Sequence, residues 1–273
     1  MEWEYFEVGK NIKIEGFYTV FEHIFEAGHI FSGESHDFWE MMYVIDGEVC
    51  VSADERVLNL KKNDIIFHKP LELHKFHIEK DAHLFITTFS AEGGAMRDFE
   101  NRAVSLSLRE REYMFNLINF ARENCRDLGH HGIFKSPTLI GMYTCLTELF
   151  LLSVYQSEKL ILSTHNSPDA IIFKNAVRVM EKCVGEWISV PEIAEKCNVS
   201  VSYLKKIFDK YSGLGVHKYF LKTKLISASQ MLKDGKNVSE TADELGFSSQ
   251  NYFSMVFKRE MGISPLNYRN RYK

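Results

Sequence analysis

The chain has 273 residues, enough for two domains that each bury a core, and its 45% hydrophobic and 26% charged content excludes a disordered or a multi-span membrane protein. The net charge of −4 conceals a split: from Asp169 onward there are 17 Lys and Arg against 11 Asp and Glu, and before it 16 against 26. The C-terminal part is therefore the one suited to a polyanion.

In chain order, Met1-Glu2-Trp3-Glu4 lacks the basic and apolar regions of a secretion signal. The five cysteines (Cys50, Cys125, Cys145, Cys183, Cys197) are odd in number and form no C-x-x-C pair, which reads as reduced thiols in a cytoplasmic protein. Up to about Ser90 the pattern is β. Runs such as Glu40–Val51, Val57–Leu60 and Ile65–Phe67 are rich in β-branched and aromatic residues and are broken by Asp46-Gly47, Asp54-Glu55 and Asn63-Asp64. Asp46-Gly47 is the strongest hairpin signal, because a type I′ turn needs φ > 0 at both central positions. Short strands at this spacing imply a barrel or sandwich.

From about Ser107 the period becomes helical. Leu108, Tyr113, Phe115, Leu117, Ile118 and Ala121 suit one amphipathic helix, and Leu139–Tyr155 a second. The second run carries Glu148 and is too short and polar for a membrane span, so it reads as a buried helix. The pair holds more apolar surface than a hairpin on a barrel needs, which implies a homodimer contact. Residues 157–168 read as a linker between a domain at 1–156 and one at 169–273.

The C-terminal domain contains a repeat. Val190-x3-Ala194, Ser200-x2-Tyr203-x4-Phe208-x4-Gly213-x5-Tyr219 recurs as Val238-x3-Ala242, Ser249-x2-Tyr252-x4-Phe257-x4-Gly262-x5-Tyr268, with one residue inserted before the second Ser. In each copy a first helix carries the Val and Ala, and a tight turn follows. The Ser caps a second helix, Leu204, Ile207 and Phe208 (or Phe253, Val256 and Phe257) face inward, and the Gly ends it. Two helices over a short turn, the second polar outside, form a helix-turn-helix.

Gly246-Phe247-Ser248-Ser249-Gln250-Asn251-Tyr252-Phe253-Ser254-Met255-Val256-Phe257-Lys258, then Gly262-Ile263-Ser264-Pro265 and Tyr268-Arg269, resembles the signature of the AraC/XylS family of transcription regulators; the likeness extends over roughly Ile171–Arg269. Five positions depart from that pattern: Thr241 for Ile, Gly215-Val216 for Ser-Pro, and Lys224 and Met255 for Arg. The last two weaken the expected basic face. The resemblance implies that both second helices enter successive major grooves of duplex DNA. The candidate groove-facing residues are Ser202, Lys205 and Lys206 in the first, and Gln250, Asn251, Ser254 and Met255 in the second, with Asp209 as a non-contact. Gln and Asn pair bidentately with adenine, Lys with guanine.

Upstream, Gly28-x5-Glu34-x-His36-x3-Glu40-x6-Gly47 is similar to the first cupin motif with Glu34 in place of its first His, and Asp64, Pro70 and His74 resemble a degenerate second motif. In metal-binding cupins the matching positions hold an ion, so Glu34, His36, Glu40 and His74 are candidates either for a small effector or for a metal. The effector is the expected occupant, with no metal and no cofactor; His36, Glu40 and His74 would be the ligands in the metal case. His68, His77 and His83 are read as surface or supporting residues.

The expected fold is α+β in two domains, a cupin-like β-barrel with a helical hairpin followed by an all-α domain with two helix-turn-helix units. The expected function is sequence-specific DNA binding in transcription regulation, without enzymatic activity, under a small-molecule effector for which a sugar is the family's commonest theme. Duplex DNA, RNA polymerase and a second copy of the chain are the expected partners, and no membrane. Two alternatives stay open: an effector-independent regulator with a dimerisation barrel, and a metal-dependent cupin enzyme with a helical tail.

Overall fold

A computed structural model describes residue 9 and residues 11–130, 132–157, 162, 164 and 167–271. The first residues and most of the expected linker lie outside the described residues. The chain divides into two compact units, one of Met1–Ala53 and Leu58–Thr164, the other of His165–Lys273 with the short segment Asp54–Val57 grouped with it.

The first unit is built on seven strands: β1 (Lys13–Phe25), β2 (Ile30–Glu34), β3 (Trp39–Ala53), β4 (Arg56–Lys61), β5 (Asp64–His68), β6 (His74–Glu92) and β7 (Ala103–Ser105). They form one sheet of order β1-β6-β3-β5-β7, with β2 paired to β6 and β4 to β3. The two-residue period of a strand sorts its side chains between two cores. On β3 and β6, Met42, Val44, Leu84 and Ile86 join an inner cluster, while Met41, Tyr43, Phe85 and Phe89 join the cluster that packs against helices. Two faces buried at once explain the near-continuous apolar runs.

Asp46-Gly47 does not make a hairpin turn. β3 runs straight through it as a 15-residue strand, and its register with β6 shifts on both sides of Asp46. Gly47 sits at φ 84° within this bulge, and a Cβ there would fall 2.1 Å from the Asp81 carbonyl oxygen. The glycine serves a close backbone approach, not a reversal of the chain. The reversals fall at the other two signals, where Asp54 and Asn63 adopt φ of 47° and 71°.

Helices α1 (Leu108–Asn124) and α2 (Pro137–Gln156) cover the sheet, joined across a small hairpin of β8 (Cys125–Arg126) and β9 (Ile133–Phe134). Ser107 and Glu110 form a capping box at the start of α1. Met114, Leu117, Ile118 and Ala121 are buried, whereas Leu108 and Phe115, expected on the same face, point outward. The expectation of a buried second helix is half right. Tyr143, Thr147, Phe150, Leu151 and Val154 are buried, but Ile140, Met142, Leu149 and Leu152 are exposed. Among the described residues α2 is the one helix long and apolar enough to cross a membrane, with 28% of its most apolar window buried.

The second unit holds α3 (Pro168–Lys182), α4 (Val190–Lys196), α5 (Val201–Ser212), α6 (Val216–Lys233), α7 (Val238–Glu244), α8 (Gln250–Met261) and α9 (Pro265–Asn270). The repeat folds as two matched units, α4–α5 and α7–α8. Ser200 accepts from the Tyr203 amide at 3.2 Å and Ser249 from the Tyr252 amide at 3.1 Å. Gly213 and Gly262 close the helices in the left-handed region. In the first turn Asn198 takes the positive φ that Gly246 takes in the second, a conformation asparagine tolerates. Capping boxes Ser189/Glu192 and Asn237/Glu240 open α4 and α7 at the same spacing. Thr241 is wholly buried, and its hydroxyl donates to the Asn237 carbonyl at 2.8 Å, which lets a polar residue stand where an apolar one is usual.

Candidate functional site

In the first unit the sheet brings together residues far apart in sequence. Pairing of β2 with β6 sets Glu34 opposite His74, and β3 places Glu40 beside them between β5 and β6. His36 lies in the segment between β2 and β3, whose backbone is tied to the next loop by the Leu71 amide donating to the His36 carbonyl at 2.7 Å. The four predicted residues converge: one ligand atom from each lies within 4.8 Å of all the others. His36 Nε2 stands 3.6 Å from Glu40 Oε2, and His74 Nε2 stands 3.6 Å from Glu34 Oε1 and 3.8 Å from Glu40 Oε1.

Burial alone would raise the Glu40 carboxyl, but His36 and the charge on His74 hold it down at about 2. Burial likewise opposes charge on His74, yet the facing Glu34, Glu40 and Glu72 lift it to about 9. Among the described residues these imidazoles and carboxylates are the set that could hold a metal ion.

His68, read from sequence as a surface or supporting residue, is almost completely buried. Its Nδ1 is 2.5 Å from Glu72 Oε2, and its ring stacks on His74 with centroids 4.3 Å apart. Glu72 accepts from the His74 Nδ1–H through its backbone carbonyl at 3.1 Å. Glu72 thus links both rings, and the sequence reading missed it because an exposed-loop carboxylate has the same sequence signature. His83 belongs elsewhere, 2.7 Å from Glu22, which also pairs with Arg122.

Glu34, His36 and Glu40 line a cavity of about 520 Å³, whose other walls are aromatic, chiefly Phe21, Phe25, Phe31, Phe38 and Phe76. Thr19 and Thr88 add hydroxyl groups, hydrogen-bonded to each other at 2.7 Å. An apolar cavity with a few convergent polar groups is the form a small-molecule site takes.

In the second unit, α5 and α8 each bury one stripe, formed by Leu204, Ile207 and Phe208 and by Phe253, Val256 and Phe257. Ser202, Lys205, Lys206, Gln250, Asn251 and Met255 are exposed, and Ser254 half so. Tyr203 does not share their freedom: its hydroxyl donates to Asp169 at 2.6 Å, as does Lys210 at 3.1 Å, tying α5 to the start of α3. The 49-residue offset carries Ser202, Lys205, Lys206 and Asp209 onto Asn251, Ser254, Met255 and Lys258. Exposed Lys258 therefore belongs to the outer face of α8, a position the repeat itself pointed to and the sequence reading passed over.

Lys224 corrects the reading of a weakened basic face. It is wholly buried, and its ammonium donates to the carbonyls of Val184 at 2.6 Å and Leu245 at 2.9 Å. The rings of Trp187 and Phe220 stand 4.7 and 4.9 Å from it. It braces the end of α7 against the segment after α3 and takes no part in the outer surface.

Two family models match the chain: an AraC-like ligand binding domain over residues 21–111 and a helix-turn-helix domain over 193–271. The Msm operon regulatory protein of Streptococcus mutans is 24% identical over 257 residues, 89% of this chain and 88% of that protein. The transcriptional activator RhaR of Yersinia pestis is 27% identical over 136 residues, 46% of either chain. A solved AraC-type transcriptional regulator from Chromobacterium violaceum is 30% identical, with a TM-score of 0.37, over 39% of this chain and 96% of its own.

Proposed function

The chain belongs to the AraC family of transcription regulators, and from that premise we propose that its first unit, a cupin-like barrel, takes a small effector in the aromatic cavity while α5 and α8 read duplex DNA. The observation that carries the DNA-binding part is the doubled unit, in which two helices with matched caps expose polar faces at equivalent positions. Ser202, Lys205 and Lys206 on α5, and Gln250, Asn251, Ser254 and Met255 on α8, are the proposed contacts, with Lys258 added by the repeat. Lysines neutralise phosphates, and the amides of α8 meet base edges.

For the effector, the cavity's chemistry favours a molecule with an apolar face to lie on phenyl rings and hydroxyl groups to donate to Glu34, Glu40 and the threonines. A sugar or related polyol has both. We assign the chain no catalytic activity, a cytoplasmic location, RNA polymerase as the partner of the DNA-bound form, and a homodimer through α2.

The test is a map of DNA bound by the full-length protein across its genome, followed by thermal shifts with the metabolites that the neighbouring genes handle. A compound that raises Tm, changes operator affinity and loses both effects in Glu34→Gln supports the reading. Operator binding that no such compound alters would make the barrel a dimerisation module only.

A further inference from the structure

We propose that the effector is a small hydroxylated amine, of the amino-sugar class, whose ammonium group is held by Glu34 and Glu40 at the polar end of the cavity. This rests on the reading of the first unit as an effector-binding barrel, and it narrows that reading from polyols in general to polyols that carry a positive charge.

The pairing of β2 with β6 builds both ends of the cavity. Phe31 is in register with Phe76 and Glu34 with His74, so a phenyl wall passes directly into the carboxylate end. The rings of Phe31 and Phe76 lie parallel with centroids 4.9 Å apart, and Phe25 meets Phe76 edge-on at 5.3 Å. Phe38 stacks on His36 at 3.9 Å, which brings a further phenyl ring to the polar end. The face of an aromatic ring is electron-rich, so such walls favour a cation over an anion.

The charged groups of the lining have the same preference. Glu34 and Glu40 line the cavity, and among the described residues no lysine or arginine does. Both carboxylates approach one imidazole atom, His74 Nε2, at 3.6 and 3.8 Å. Neither closes to the roughly 2.7–2.9 Å of a charge-assisted hydrogen bond, so they share one imidazole at a distance. A primary ammonium carries three donors on one compact positive charge and can serve both carboxylates at once. A hydroxyl in its place would donate a single bond and leave the other carboxylate uncompensated in a largely apolar cavity.

The neighbouring group is set by His74. Its Nε2 is buried and has no hydrogen-bond partner, a condition that folded proteins seldom leave standing. A hydroxyl beside the ammonium satisfies that nitrogen whether or not it carries a proton, because a hydroxyl both donates and accepts. Thr19 and Thr88 offer hydroxyl groups to the rest of the molecule. A ring with an amine next to a hydroxyl, and a C–H face to lie on phenyl rings, is an amino sugar. The cavity of about 520 Å³ has room for such a ring. Sugar phosphates and sugar acids meet the opposite condition, two carboxylates with no lysine or arginine to receive them.

Full-length protein, with chelator present throughout, is titrated by calorimetry with D-glucosamine, D-galactosamine and D-mannosamine, with the parent hexoses and with the N-acetyl derivatives. The buffer is kept acidic enough for the amines to be protonated. At least one amine is expected to bind about tenfold tighter, or more, than its parent sugar and its N-acetyl form, and to raise Tm as its concentration rises. Glu34→Gln is expected to bring that amine and its parent sugar to nearly equal affinity. Glu40→Gln has the same expected effect, but Glu40 is buried, so the more exposed Glu34 decides the matter if the Glu40 variant does not fold. Thr88→Val is expected to weaken amine and parent sugar alike, which separates loss of charge recognition from general damage to the cavity. A parent or N-acetyl sugar that binds as tightly as its amine, or a preference unchanged in Glu34→Gln, would overturn the proposal and leave the effector reading standing. Binding by none of the amines would overturn it too, and the screen of metabolites from the neighbouring genes then judges the effector reading separately.

Discussion

The Lys224 ammonium sits between two carbonyl oxygens and two aromatic faces, out of reach of solvent. Burial depresses its pKa from the usual 10.5 to about 8, against the pull of Glu186 and Cys183. Between those values the unfolded chain binds more protons than the folded one, so this group's contribution makes stability rise as pH climbs from 8 to 10.5. Denaturant unfolding of the wild type and of Lys224→Met at pH 7.5 and 9.5 is expected to show the wild type gaining relative to the variant at the higher pH. An unchanged difference would mean that the lysine titrates as if exposed. On the outer surface, single residues carry the proposed DNA contacts. Gln250 and Asn251 stand in the first turn of α8 just after its Ser249 cap, and replacing either by Ala is expected to cost roughly 1–3 kcal/mol at one or two operator positions only. Lys205→Ala or Lys206→Ala, whichever faces phosphate, is expected to weaken binding to all sequences alike and to lower the salt slope by about one. Binding-site selection at two salt concentrations separates the two patterns, and unchanged base preference in both α8 variants would reduce α8 to a backbone grip.

Among the elements, the strand β3 carries the clearest lesson about backbone. Its glycine bulge lets a 15-residue strand bend while pairing with β4, β5 and β6, and it is the strand that delivers Glu40 to the cavity. Gly47→Ala brings a methyl group against the Asp81 carbonyl in a left-handed conformation, and is expected to destabilise the first unit by at least about 2 kcal/mol in thermal or denaturant unfolding. A tolerated substitution would show that the bulge relaxes freely. The sequence carried the helical unit almost whole, because caps, turn residues and inward stripes are local and the repeat states each of them twice. It carried the four converging residues because Glu34, His36 and Glu40 fall at a fixed motif spacing along β2, β3 and the segment between them, with His74 following in a second motif. It misplaced Asp46-Gly47 because a local pair cannot tell a turn from a bulge when the deciding neighbour, Asp81, is 34 residues away. It misread Lys224 and passed over Glu72 for the same reason: what buries a charged side chain is a carbonyl or ring supplied by another element.

At the scale of the molecule, the charge split agrees with the division of labour, and residues 169–273 expressed alone are expected to fold and to bind duplex DNA with an affinity that falls steeply with salt. The proposed homodimer rests on α2. Its buried face is fully used by Tyr143, Phe150, Leu151 and Val154, yet a second stripe of Met142, Cys145, Leu149 and Leu152 is exposed along the opposite side. These positions follow the 3-4-3 spacing of a helix–helix seam, and an exposed apolar seam of this period is a surface suited to another helix. A second copy of the same helix across a two-fold axis is the simplest cover, since it makes each residue meet its own kind of surface. Leu149→Asp and Leu152→Asp are then expected to give monomers in light scattering at micromolar concentration, with the far-UV spectrum unchanged. Cys145 supplies an independent check, because it lies within the stripe and is exposed. In the dimer it approaches the partner's seam, so a short bis-maleimide is expected to cross-link wild type but neither Cys145→Ser nor the Leu149→Asp variant. A wild-type monomer, or cross-linking undiminished in Cys145→Ser, would move the contact off this face of α2.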